Sequence, residues 1–111
     1  MTPVEFAGKY GLKVLNEGEQ RPIEGIYCCD LLSMVMGKAK ENDAFFTVMG
    51  NVNSIAVAVL ADVSCVVLCE GILLDEETLQ KAAAQDVCVL SSQEGSFATA
   101  LKLARELELY P

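Results

Sequence analysis

Apolar residues fall along this chain in short, dense blocks separated by polar, glycine-bearing turns. The densest block lies at residues 51–71, NVNSIAVAVLADVSCVVLCEG. Within residues 55–69 the only formal charge is Asp62 and the only small polar side chain is Ser64. That run is too short and too interrupted for a membrane span, which needs about 20 apolar residues. Its first part, residues 55–61, is alanine-rich and apolar on every side, which predicts a helix covered by its neighbours. Its second part, residues 64–69, is β-branched in the middle and closed by Glu70-Gly71, which predicts a strand buried on both faces. A helix running straight into a buried strand is half of a βαβ unit.

The remaining blocks extend the same alternation. Residues 4–10 predict a short helix, with Pro3 in its first turn and Gly11 as its stop. LKVL at 12–15 predicts a strand, and strand character resumes at 23–28 after a polar turn. Asp30 is placed to cap a helix over 31–40 whose stripe is Leu31, Leu32, Val35, Met36 and Ala39. Residues 45–49 predict a strand, followed by a tight connection into the central helix, with Asn53 or Ser54 as its cap. A helix opened by Asp75 and running to about Gln85 points Leu79, Ala82 and Ala83 inward. VCVL at 87–90 is a further buried strand. The last helix, 97–108, turns Phe97, Ala100, Leu101, Ala104 and Leu107 toward the core. Four-to-six-residue strands alternating with helices of about ten residues predict a three-layer α/β/α fold. Its sheet is mainly parallel, with four to five strands. The whole of 1–111 forms one domain.

In an open parallel sheet, ligands collect beyond the carboxyl ends of the strands, where helix N-termini also point. The residues immediately after each predicted strand are Cys29 and Asp30, Gly50, Asn51 and Asn53, Glu70 and Gly71, and Ser91 and Ser92. These nine form the candidate ligand-binding set. Asp30 and Asn53 would cap helices, the glycines would let backbone approach a ligand, and the serines would supply hydroxyls. Turn and cap chemistry alone also selects such residues.

Composition narrows the chemistry. Eight Lys+Arg against sixteen Asp+Glu leave a formal charge of −8, which repels nucleic acid and anionic membranes. There is no histidine, so Ser-His-Asp and Cys-His catalysis are excluded and the commonest metal ligand is missing. Neither GxxxxGK[ST] nor GxGxxG occurs, and the GNVNS and SSQEGS connections contain no lysine or arginine. The first residues lack the apolar core of a signal peptide, so a cytoplasmic location is expected. Five cysteines are an odd number for a disulfide framework. Cys28, Cys29 and Cys69 fall near one sheet edge, which raises a thiolate metal or iron–sulfur site as an alternative. Cys65 and Cys88 lie inside apolar strands, where cysteine behaves as a small hydrophobe.

From QRPIEGIYCCDLLSMVMGKAKENDAFFTV onward the chain resembles the stand-alone DRTGG-domain proteins, which are similar to the N-terminal domain of HPr kinase/phosphorylase. The matching pieces are DLLS at 30–33, AKxxDAxxT at 39–47, NxxxIAVAVLADVxxVxLxEG at 51–71, DEETLxKA at 75–82 and LSS at 90–92 with Phe97 beyond it. The name-giving segment, D-R-x-V-x-G in its longer form, falls on QRPIEG. Arg21 and Gly25 match, Gln20 replaces the aspartate and Ile26 the second glycine. The resemblance implies an α/β/α fold like the N-terminal domains of HPr kinase and the Mur ligases. It implies no kinase activity, because the P-loop domain is missing. It also implies a non-catalytic regulatory or interaction module, a homodimer without a resident cofactor, with an adenine nucleotide as the ligand class to expect. The remaining alternative is a protein–protein adaptor without a ligand.

Overall fold

The computed structural model describes residues 1–110. Ten elements follow in order: α1 (Pro3–Tyr10), β1 (Lys13–Asn16), β2 (Gly25–Cys28), α2 (Leu32–Lys38), β3 (Asp43–Thr47), α3 (Val52–Ala61), β4 (Cys65–Leu68), α4 (Glu76–Ala84), β5 (Val89–Ser91) and α5 (Ser96–Glu106). The strands form one mixed sheet ordered β1-β5-β4-β3-β2. β2 to β5 run parallel, whereas β1 pairs antiparallel with β5. β3 and β4 lie at the centre, and every residue of both is buried.

Side-chain alternation along these strands separates two cores. Ala44, Phe46, Cys65, Val67 and Leu90 pack with Phe6 of α1 and Leu103 of α5. Phe45, Val66, Leu68 and Val89 pack with Val35, Ile55 and Ala82 from α2, α3 and α4. The expected covering of a buried strand on both faces is therefore present, with two helices on one side and three on the other.

The ends of the helices explain where they start. Thr2 and Glu5 form a reciprocal capping box on α1, and Gly11 closes it in the left-handed conformation. Asp75 caps α4 through the Thr78 N–H, 2.8 Å away, as expected. The central helix is capped by Asn51, whose side chain accepts from the Asn53 and Ser54 N–H groups. This corrects the assignment of that role to Asn53 or Ser54: the helix begins at Val52, two residues earlier than an Asn53 cap would place it. α2 begins after Leu31 without any side-chain cap, so Asp30 does not cap it.

Four inward faces also differ from expectation. α2 is only seven residues long and covers the edge of the sheet, so its stripe narrows to Val35 with Leu32 and Ala39 half-buried; Leu31 and Met36 are exposed. α3 is not enclosed on all sides, because Val59 and Leu60 face outward. In α4, Thr78 and Ala82 point inward while Ala83 is exposed. In α5 the inward residues are Thr99, Ala100 and Leu103, whereas Phe97 stands in the first turn, beyond the sheet, and is 79% exposed.

The QRPIEG segment lies at the opposite end of the sheet from the strand carboxyl ends. The Arg21 guanidinium donates to the carbonyls of Val63 (2.6 Å) and Asp62 (3.2 Å), and pairs with the Asp62 carboxylate at 3.0 Å. It thus clasps the chain just past the end of α3, where the Asp62 carbonyl also accepts from the Asn42 N–H at 2.9 Å, and supplies the positive charge that a helix C-terminus favours. The Ser64 hydroxyl donates back to the Arg21 carbonyl at 2.8 Å. Gly25 is a close-approach position: a Cβ there would collide with the Asp43 carboxylate. Arg21→Ala is expected to destabilise the fold by about 2 kcal/mol, the scale of losing hydrogen bonds from a charged donor. Arg21→Lys should recover only part of it, since one ammonium nitrogen cannot stand at both guanidinium nitrogens, one on the two carbonyls and the other on the Asp62 carboxylate. Urea titrations of the two variants check this.

Candidate functional site

The carboxyl ends of β2, β3, β4 and β5 line up in that order along one rim of the sheet. The ladder continues past the strands: Cys29 N–H donates to the Phe46 carbonyl (3.2 Å), Cys69 N–H to that of Thr47 (3.0 Å) and Ser92 N–H to that of Leu68 (2.7 Å). Seven of the nine residues singled out by their sequence positions follow these ends, Cys29, Asp30, Gly50, Asn51, Glu70, Gly71 and Ser92, and Ser91 is itself the last residue of β5. Asn53 is set apart, in a groove between α3 and α4 lined by Ala56, Glu77, Gln80 and Lys81.

Asp30 cross-links the first two strand ends. Its carboxylate accepts from the Thr47 hydroxyl at 2.8 Å and the Val48 N–H at 2.9 Å, in place of the helix cap expected of it. Thr47 is buried, and its hydroxyl in turn accepts from the Met49 N–H at 3.1 Å. Thr47 is a residue the sequence pattern passed over, although a threonine ending an apolar strand was a usable signal. Gly50 permits the next connection to press against the one after β4, since a Cβ would stand 2.9 Å from the Ile72 side chain.

The connections after β4 and β5 leave toward opposite faces of the sheet, one to α4 and the other to α5. Adjacent strands whose connections diverge in this way create the crevice in which open α/β sheets hold ligands. Here main-chain bonds join the two connections. Glu70 N–H donates to the Glu94 carbonyl and Gly71 N–H to the Ser92 carbonyl, both at 2.8 Å. Both residues are left-handed, at φ 62° for Glu70 and 72° for Gly71. A non-glycine residue held there stores on the order of 1 kcal/mol of strain.

The serine hydroxyls are not free for a ligand. Ser91 donates to the Ile72 carbonyl, and Ser92 shares a hydrogen bond with Thr99, each at 2.8 Å. Both serines are buried and fasten the β4–β5 connections from within. What the rim presents outward is acidic: Asp30, Glu70 and Glu94 are exposed, and Glu94 is paired with Lys102 of α5. Lys102 brings a cation to a connection that has none in its own sequence. Nothing short of the fold would place it there.

The cysteines divide between the faces. Cys69, Cys65 and Cys88 belong to the core under α1 and α5, while Cys29 packs on the opposite side with Tyr27 and Leu32. Cys28 and Cys69 share a face, but Cys29 cannot join them, because successive strand residues point oppositely. Among the described residues no cluster of three or more Cys, Asp or Glu side chains is placed to hold one metal ion. Loss of solvent around the sulfur, with Cys69 and Asp30 nearby, pushes the Cys28 thiol up to about 11. Burial pushes Cys88 to about 11 and Cys65 well above the usual thiol value. Cys69 is raised by burial too, partly offset by the hydroxyls of Ser96 and Thr99. Thiols held protonated are poor nucleophiles and poor metal ligands.

A folded-state pKa above the unfolded one leaves stability intact below the unfolded value and removes it as pH rises toward the folded value. The thermal midpoint is therefore expected to fall between about pH 9 and 11, and Cys88→Ala should flatten that decline. Melts at stepped alkaline pH measure it.

Three comparisons bear on this arrangement. Among models of known families, the one described as "DRTGG domain" matches residues 9–105. No curated protein matches the chain. Among solved structures, the chain is similar to the CBS and DRTGG domains of the regulatory region of Clostridium perfringens pyrophosphatase, in a complex with the activator diadenosine tetraphosphate. That likeness has a TM-score of 0.78 at 14% identity, over 96% of this chain and 47% of the other. The chain thus spans about half the length of its structural neighbour. No described helix is long and apolar enough to cross a membrane.

Proposed function

The chain belongs to the DRTGG-domain family, and from that premise we propose that it is a non-catalytic regulatory module that binds the nucleoside part of an adenine nucleotide at the strand-end rim. The observation that carries this is the pair of exposed carboxylates, Asp30 and Glu70, at the carboxyl ends of β2 and β4. Carboxylates accept hydrogen bonds and repel phosphate. An acidic rim of this kind suits ribose hydroxyls and an exocyclic amine, and the phosphates would extend toward Lys102 or into solvent. The backbone at Gly50 and Gly71 has no side chain to hold a ligand away.

The structural neighbour's regulatory region was solved with a nucleotide activator, which lends the ligand class support by kinship. In this proposal the chain's own layered sheet is of the kind also found in the N-terminal domain of HPr kinase, and the chain acts as one domain. It works as a cytoplasmic homodimer, a binding unit whose occupancy is read by a partner or an attached domain. No cofactor takes part.

Isothermal titration with adenosine, AMP, ATP, diadenosine tetraphosphate and inorganic tripolyphosphate tests it. Saturable binding of the four adenosine-containing compounds, with none for tripolyphosphate, is expected. Binding of tripolyphosphate alone, or of no compound, overturns the assignment and leaves a protein–protein adaptor.

A further inference from the structure

β2 ends the strand order and hydrogen-bonds to β3 alone. Its sequence, Gly-Ile-Tyr-Cys, contains no lysine, proline or charge, the usual protections of an open edge. A groove of about 580 Å³ runs along one side of it, between Ile26, Cys28 and the α5 residues Phe97, Ala100 and Leu101. A second groove, of about 550 Å³, runs along the other side, lined by Tyr27, Lys38, Lys40 and Tyr110 among others. Two grooves flanking an unpaired strand are what an added strand needs for side chains that alternate between faces. Exposed apolar side chains gather on the helices beside it: Leu31, Met34 and Met36 at α2, and Phe97 on α5.

We propose that this edge is where a second copy of the chain docks, β2 against β2 in antiparallel fashion about a two-fold axis, so that five strands from each copy form one continuous sheet. The inference rests on the homodimer of the proposed function and assigns its interface. Charge selects a second copy over a foreign strand. At the start of β2, Lys38 and Lys40 line the groove and make no ion pair among the described residues. The two carboxylates beside them bond amides, Glu24 the Asn42 side chain at 3.0 Å and Asp43 the Lys40 N–H at 2.8 Å, and neither meets a lysine ammonium. At the end of β2 stands the exposed Asp30, whose Oδ1 takes the Thr47 and Val48 bonds and leaves Oδ2 for a partner. Antiparallel self-pairing lays start upon end, so Asp30 of the partner subunit meets the two lysines, and symmetry repeats the contact. The same operation carries Phe97 at one end of the apolar groove toward Arg105 and Tyr110 at the other, a cation–π and aromatic pairing. An isologous interface must be self-complementary in this way.

Size-exclusion chromatography with light scattering, run on the wild type and on Phe97→Asp, Met36→Asp and Leu60→Asp, tests the proposal. All three substituted residues are exposed, so each variant should fold. The wild type is expected at twice the monomer mass. Phe97→Asp and Met36→Asp should weaken the dimer at least tenfold, while Leu60→Asp, on the outer face of α3, leaves it intact. Amide exchange at residues 25–28 should slow as wild-type concentration rises. A dimer that survives the first two changes but dissociates with Leu60→Asp would overturn this interface and keep the homodimer. A wild type that stays monomeric, with residues 25–28 exchanging fast at every concentration, would overturn both and leave the edge to a foreign strand.

Discussion

Phe46→Ala is expected to destabilise the protein by about 3–5 kcal/mol, the range for emptying a large aromatic site in a core. Phe46 lies on β3 and has no solvent exposure; its ring packs in the core with Ala44, Val67 and Leu103. The layer below it is the sheet itself, which cannot move in to fill the void, so both the transfer and the cavity costs apply. With an unfolding entropy of about 2.1 cal/mol/K per residue, 111 residues give about 230 cal/mol/K, and the midpoint should drop by roughly 13–21 °C. At protein concentrations low enough to keep the chain monomeric, Phe97→Ala should change stability by less than about 0.5 kcal/mol, as surface substitutions do. Urea denaturation of the pair, with unchanged slopes, measures the contrast. Equal costs at the two positions would show that Phe97 is covered in the folded protein.

Those two phenylalanines also mark the limit of what local pattern conveys. Phe46 lies in the apolar centre of β3, Ala44 to Phe46, and adjacent apolar residues in a strand point to opposite faces, so both faces have to be covered there. Val66 and Val67 follow the same logic, and both are fully buried. Phe97 satisfies the helical period just as Ala100 and Leu101 do, but periodicity gives no information on where the sheet stops. The helix starts at Ser96, so Phe97 overhangs the rim. Leu31, Met36 and Leu60 are exposed for a related reason: each lies where no neighbouring layer extends over it. The antiparallel pairing of β1 was equally beyond reach, since a strand's own residues do not record its direction.

For the site, the position of a residue after a strand was legible and its role was not. Asp30 stands where a helix cap is expected, yet its carboxylate finds Thr47 and Val48, seventeen and eighteen residues away in sequence, closer to hand. Ser91 and Ser92 read as ligand hydroxyls and are spent on Ile72 and Thr99. Arg21 and Gly25 match the family signature, and their contacts at the far end of the sheet are those of a clasp: one closes the end of α3, the other admits Asp43. Long-range pairing decides each of these roles, and the residue's own neighbourhood in sequence contains none of it.

A nucleotide held at the rim should therefore stabilise the protein without touching either core. Present at a hundredfold over its Kd, such a ligand adds about 2.7 kcal/mol to the folded state. With the unfolding entropy above, that raises the midpoint by about 12 °C. Glu70→Gln is the variant that separates rim binding from binding elsewhere. It keeps the side chain's size and leaves the main-chain bonds of Glu70 to Glu94 untouched, but it removes the charge that a ribose or amine donor would meet. Hydrogen bonds to a charged group contribute about 1.5–3 kcal/mol, so affinity should fall roughly 10- to 150-fold. Between about half and nine-tenths of the thermal shift at fixed adenosine should vanish with it. Asn53→Ala, in the separate groove between α3 and α4, should leave the shift at its wild-type value. A shift lost in Asn53→Ala and retained in Glu70→Gln would move the ligand off the rim and into that groove.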